Sequence, residues 1–274
     1  MTEAQTPAWS RYVAVGDSFT EGMSDPDPER PDGYVGWADR LAGHLSARAT
    51  AAGRPFGYAN LAIRGRLLAD ITGPQLDAAL ALRPDLVSIV GGGNDILRPR
   101  ADIDGLARRL ADAVTRIRAA GADVLLATPA DPRAAPVLRH TRGRVATYTA
   151  HLWSIAHEHG AFVIDQWSLA PLRDWRMWAD DRIHLTSEGH RRVALAALMA
   201  LGIEAGEDDW RRPLPTAAPR GRLALARGNA RWARDYLGPW VQRRLRGRSS
   251  GDGIEAKRPA ITRLDVPSGP GAAG

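Results

Sequence analysis

Apolar positions along the chain fall into two alternating kinds of run. Short, nearly continuous apolar stretches occupy residues 12–15, 58–63, 85–90, 123–127 and 161–165. Continuous runs of this length, rich in β-branched residues, fit strands buried on both faces of a parallel sheet. Between them lie longer stretches with helical spacing. Residues 36–52 carry Trp37, Leu41 and Leu45 four apart, and residues 102–120 carry one stripe of Leu106, Leu110, Val114 and Ile117. Residues 67–82 read as a helix broken near Gly73-Pro74, and residues 142–159 and 186–201 complete the helical set. Thr186 or Ser187 suits an N-cap, with Glu188 in the first turn where its charge meets the helix dipole. Strands alternating with helices predict an α/β fold with a parallel sheet covered on both faces.

Composition narrows this picture. With 274 residues and 44% apolar content the chain can bury a sizeable core. It has no cysteine, so disulfides, thiolate nucleophiles and cysteine-ligated zinc are excluded. Residues 1–10 are polar and hold no apolar stretch of a secretory signal, and no apolar run approaches the ~18 residues of a membrane span. A cytoplasmic location is the expectation. The net charge of +6 is not spread evenly: all of the excess lies after residue 202, where 14 Lys and Arg face 8 Asp and Glu. The body is neutral, so the charge gives no reason to expect nucleic acid as a partner. Lys257 is the only lysine.

The first apolar run ends abruptly in Gly16-Asp17-Ser18. That places a serine hydroxyl at the C-terminal end of the first strand, where open α/β sheets hold their chemistry. A serine hydroxyl needs a base within about 2.6–3.2 Å, and the base needs an orienting partner. Asp181 and His184, three residues apart on the loop before the last helix of the body, supply the best pair, with Asp180 a competitor for the carboxylate. Donors for a developing oxyanion are available on other sheet-edge loops: the backbone N–H of Ser18, that of Gly65, and the side-chain amide of Asn94 after Gly91-Gly92-Gly93.

These blocks, Gly16-Asp17-Ser18, Gly65, Gly92-Gly93-Asn94-Asp95 and Asp181-x-x-His184, resemble in order and spacing the SGNH/GDSL hydrolase family over residues 10–202. The first block reads Gly-Asp-Ser-Phe where Gly-Asp-Ser-Leu is commoner in that family. The resemblance implies a flavodoxin-like three-layer α/β/α sandwich with about five parallel strands. It implies an esterase or acylhydrolase without metal or cofactor, acting on a small-molecule ester. Ser18 would be the nucleophile, His184 the base and Asp181 its partner, with Ser18 N–H, Gly65 and Asn94 as the oxyanion hole. A carbohydrate O-deacetylase or a biosynthetic acyltransferase would use the same triad. A non-catalytic binding module using the basic tail stands as a reading from another class.

Each feature has a blander reading. Asp17 and Asp95 suit turn stabilisation, and Trp175 and Trp178 would line a cleft or cap the core. Arg64 and Arg66 flank Gly65 and would favour an anionic substrate or form a solvated turn. His190 reads as a surface or packing residue. His151, His157 and His159 resemble a metal cluster by count, but on a helix His157 and His159 point about 200° apart. The glycine run at 91–93 lacks a nucleotide-binding pattern. Residues 24–33, polar and rich in Pro and Asp, read as a mobile loop near Ser18. The hydrolase domain is expected over residues 1–210 and a basic extension over 211–274. A helix is expected near 223–245, packing on the body, meeting an anionic surface or a partner, or disordered, and a disordered tail is expected from 247. Oligomeric state is not legible.

Overall fold

The computed structural model describes residues 8–135, 138–206, 208–217, 221–239 and 249–264. The chain opens with β1 (Arg11–Gly16) and a single helical turn, α1 (Ser18–Glu21). A small hairpin of β2 (Pro26–Asp27) and β3 (Arg30–Tyr34) leads into α2 (Gly36–Ala51) and β4 (Gly57–Asn60). Residues 24–33 therefore form a hairpin rather than an irregular loop. Buried Asp25 fastens it, accepting from the Arg40 guanidinium at 2.9 and 3.0 Å.

The expected break at Gly73-Pro74 takes a specific form. The short helices α3 (Leu68–Asp70) and α4 (Leu76–Ala81) are joined by a π-turn, Ile71–Gln75, that contains Pro74. Proline has no N–H and crowds the carbonyl four residues back, and a widened turn removes both conflicts. Then follow β5 (Leu86–Val90), the one-turn α5 (Gly93–Ile96), α6 (Ile103–Ala119), β6 (Asp123–Ala127), α7 (Arg142–His159), β7 (Phe162–Ile164) and α8 (Ser187–Ala200). Thr186 caps α8, accepting from Gly189 N.

The sheet order is β7-β6-β5-β1-β4-β8. Its first five strands are parallel and follow the flavodoxin-like order, covered by helices on both faces as an α/β/α sandwich. Alternation along β1 assigns its side chains to two cores. Tyr12 and Ala14 pack with Trp37, Leu41 and Val193 of α2 and α8, whereas Val13 and Val15 pack with Ile71, Leu110 and Val114 on the opposite face. The five parallel strands match the expected count, and the sheet carries one strand more. The sixth strand, β8 (Arg258–Arg263), lies antiparallel on the free edge of β4, with Gly57 opposite Arg263 and Tyr58 opposite Thr262.

β8 corrects the expectation of disorder from residue 247, because residues 249–264 are folded against the body. The lone lysine explains their attachment. Lys257 Nζ donates to the carbonyls of Glu21, Tyr34 and Val35 and pairs with Asp39 at 2.5 Å. Burial pushes the Asp39 carboxyl up to about 6 against the pull of Lys257, and burial lowers Lys257 against the opposing pull of Asp39. Breaking such a pair leaves one buried charge alone, at a cost of about 3 kcal/mol. Lys257→Ala is expected to lower the melting temperature by roughly 6–12 °C, at 2–4 °C per kcal/mol. Calorimetry measures this, and an unchanged melting temperature would show that the strap is not anchored there.

The helix expected over 223–245 begins as α9 (Arg222–Trp232) and continues as a π-turn, Ala233–Leu237; residues 240–248 and 265–274 lie outside the described part. α9 meets the body through Asn229 and Trp232. No helix among the described residues is long and apolar enough to cross a membrane.

Candidate active site

The five parallel strands deliver their loops to one edge, and the strand order reverses at β1. This is the position where ligands bind in open α/β sheets. Gly16 ends β1 there. A Cβ on it would stand 2.5 Å from Thr20 Oγ1 and 2.8 Å from the Val90 carbonyl, so the chain turns into α1 beside β5 only with glycine. Asp17 caps α1, its Oδ1 accepting from Phe19 N at 3.1 Å. Ser18 is thereby fixed as the first residue of the turn. Behind it, buried His190 stacks on Phe19, accepts from Trp37 N and donates to the Met23 carbonyl. Burial lowers His190 to about 4, so it stays neutral and serves as packing, although inside rather than at the surface.

The loop after β7 brings the acid–base pair. His184 Nε2 stands 2.9 Å from Ser18 Oγ, and His184 Nδ1 stands 2.5 Å from Asp181 Oδ2. A carboxylate only accepts, so Nδ1 carries the proton and Nε2 is left as the acceptor for the Ser18 hydroxyl. The other Asp181 oxygen accepts from the backbone N–H of Ile183 and of His184 at 2.9 and 3.0 Å. Partial burial pushes the Asp181 carboxyl up, but the bond and charge of His184 and these two N–H groups outweigh it and hold the carboxyl below its ordinary range. Asp180 is exposed and takes no part.

Gly65 follows β4 with φ 73°, in the left-handed region that favours glycine. The backbone N–H groups of Gly65 and Ser18 have no acceptor among the described residues. The Asn94 amide differs from the simple expectation. Its Nδ2 donates to Asp17 Oδ2 at 3.2 Å and to the Arg66 carbonyl at 3.0 Å, so both of its hydrogens are engaged. Burial pushes Asp17 up to about 6, which leaves it ionised at pH 7 to hold that amide. Asp95 accepts from Leu68 N and is structural. Arg64 points away from the site and is bound by Glu21 through its backbone N–H and guanidinium. Arg66 alone of the two flanking cations lines a cleft.

Two clefts meet at Ser18, Asn94 and His184. One, of about 240 Å³, is walled largely by apolar groups, including Val90, Ala130, Leu138, Val145, Leu172 and Trp178. Trp175 lines it too, so both tryptophans belong to the cleft. The other is wider, about 1090 Å³, and more polar; Gly65, Arg66, Tyr236 and Ser249 border it. No residue of the 24–33 hairpin lines either cleft. His151 pairs with Asp104 at 2.8 Å on a remote surface. Sequence reasoning missed the contributions of Trp232, Tyr236 and Ser249. The signal for the two aromatic residues was their spacing among the arginines after residue 222, and Ser249 had none.

The profile of the GDSL-like Lipase/Acylhydrolase family matches residues 14–192. The chain belongs to that family, and it is a hydrolase of ester bonds. Among solved structures it is similar to TesA, with 25% identity over 70% of this chain and 98% of that one and a TM-score of 0.56. It is also similar to Axe2, an acetylxylan esterase from Geobacillus stearothermophilus, with 21% identity over 72% and 95% and a TM-score of 0.57. A third likeness is to LAE5, an alpha/beta hydrolase from the metagenome of Lake Arreo, Spain, with 23% identity over 70% and 95% and a TM-score of 0.57. No curated protein matches it in a sequence search.

Proposed function

We propose that the protein is a serine esterase working through an acyl-enzyme, with Ser18 as nucleophile, His184 as base and Asp181 as orienter. The observation that carries this reading is the continuous hydrogen-bonded chain from Ser18 Oγ through His184 to Asp181. Ser18 Oγ attacks the ester carbonyl while His184 Nε2 takes the hydroxyl proton. The oxyanion is met by the N–H of Ser18 and of Gly65. Asn94 joins them by sharing the hydrogen now on its longer bond, to Asp17. The intermediate collapses as the C–O bond to the alcohol breaks, and His184 returns the proton to the departing oxygen. Water then attacks the acyl-enzyme with the same residues reversed, releasing the acid and Ser18. Three solved forms of Axe2 are described as catalytic mutants, changed at a serine, an aspartate and a histidine. That set agrees in kind with the residues proposed here.

The acyl group fits the narrower cleft, whose walls are apolar, and the alcohol leaves through the wider one. An acetyl group would leave most of the apolar cleft unfilled, and each methylene that enters it gains about 0.8 kcal/mol. Longer acyl chains are therefore the better substrates, ahead of acetylated carbohydrates. Acyl transfer to an acceptor alcohol uses the same residues and is separated by adding acceptors to the assay. The direct test is covalent labelling with a fluorophosphonate, which reacts with activated serines. Peptide mapping should place the label on Ser18, and a label elsewhere, or none, removes the assignment.

A further inference from the structure

The wider cleft is not built by the hydrolase domain alone. The family match ends at residue 192, yet Asp235, Tyr236, Pro239, Ser249 and Ser250 form its outer side, facing Ser18 and His184. Ser249 and Ser250 lie so close to Gly65 that a Cβ there would stand 2.3 Å and 2.9 Å from their hydroxyl oxygens.

This side is fixed to the catalytic loop. Trp232 Nε1 donates to the Asp181 carbonyl at 2.8 Å, and Arg182 Nη1 donates to Asn229 Oδ1 at 2.8 Å. The Arg182 guanidinium lies 5.1 Å from the Trp232 ring centre and 6.0 Å from that of Trp175. Arg182 has φ 60°, a left-handed backbone that costs a non-glycine residue about 1–2 kcal/mol unless its surroundings hold it. α9 supplies part of that hold, while Lys257 and β8 tie the far end of the extension down.

Three arginines and three carboxylates line the cleft, but they do not pair with one another. Its acidic groups are engaged: Asp181 by His184, Asp235 by Arg234, and Asp70 by the Leu67 N–H. Among the described residues no carboxylate forms an ion pair with Arg66, Arg98 or Arg100, which line the same cleft. A cleft of this size is far larger than a small alcohol needs, and unpaired guanidinium groups favour phosphate or carboxylate.

We infer that the wider cleft is a leaving-group subsite for a large, anionic alcohol or thiol, with the C-terminal extension as its outer wall. Tyr236 is the aromatic contact on that wall, and Arg98 and Arg100 read the charge. The inference rests on the proposed role of Ser18. The test uses the full chain and three esters of one acyl group with matched leaving-group acidity: methyl-sized, large neutral, and large phosphate-bearing. The wild type should show kcat/KM at least 10-fold higher for the phosphate-bearing ester than for the large neutral one, and less so at high salt. Replacing both Arg98 and Arg100 by alanine should erase that preference, with the small ester unchanged. Tyr236→Ala should raise KM for both large esters about 5-fold or more and leave the small ester alone. Equal kcat/KM for the two large esters in the wild type, or a charge preference that survives loss of both arginines, overturns the subsite. If Ser18 does not label with fluorophosphonate, the reading of the nucleophile has failed instead. Label on Ser18 together with turnover of the small ester means that a missing charge preference counts against the subsite alone.

Discussion

Replacing Ser18 by alanine is expected to lower kcat for a medium-chain p-nitrophenyl ester by about 10⁵-fold or more, and His184→Ala by a similar factor. That is about 7 kcal/mol of lost transition-state stabilisation at 1.36 kcal/mol per decade. The two losses should be alike and should not add. In the proposed mechanism the hydroxyl and imidazole, 2.9 Å apart, act as one unit, and removing either leaves the other without a function. Folding is not expected to suffer. Ser18 caps nothing, since the cap of α1 is Asp17, and His184 sits in a half-buried loop. Circular dichroism and melting temperatures of both variants should therefore match the wild type. Activity within tenfold of wild type in either variant would falsify the proposed mechanism.

For Asp181→Asn the drop is about 10⁴-fold in kcat, and the reason is a tautomer rather than a lost charge alone. The asparagine amide would offer a donor or a carbonyl to Nδ1. Where it donates, the imidazole must carry its proton on Nε2 and can no longer accept from Ser18. The native carboxylate cannot donate, and it stays ionised because the bonds from His184 and Ile183 hold it below the ordinary carboxylate range. A lowered carboxyl contributes stability above its unfolded value, and that contribution disappears only as pH falls through the lower folded value. Asp181 therefore does not set the limb of a pH–rate profile in the neutral range. Steady-state kinetics between pH 6 and 9 checks both points. A rate in the asparagine variant that recovers to wild type at high pH would rule out the tautomer argument.

How much of this is readable from the sequence depends on the range of each signal. The strand-end blocks are legible because each is local. Gly16 needs no side chain where β1 turns, Gly65 needs a left-handed φ, and Asp181 reaches His184 across three residues. Helices with long apolar stripes, such as α6, are legible to within a residue of their ends. The one-turn helices α1 and α5 are not, since four residues carry no period. β8 reads as disorder because its signal is distant. Its six residues include Pro259 and Arg258, suited to an edge strand, and nothing near them announces that Gly57–Asn60 is the partner. The same holds for Trp232, whose acceptor is a backbone carbonyl 51 residues earlier. The Asn94 amide is a subtler case. Its place at the strand edge is legible, but its bonds to Asp17 and Arg66 require three loops to be seen together.

The pairing of β8 with β4 has a consequence for how this protein comes into being. A ribosome must add about 200 residues after Asn60 before Arg258 exists, which takes on the order of 10–40 s at bacterial-to-eukaryotic elongation rates. Throughout that interval the nascent sheet presents β4 as a bare edge, with backbone donors and acceptors open to any other strand. The lysine lock and the far side of the wider cleft arrive with β8. Hydrolysis of large substrates and protection from edge-to-edge association would therefore switch on together, once β8 has been made, and a chain stalled shortly before Lys257 would be a sticky one.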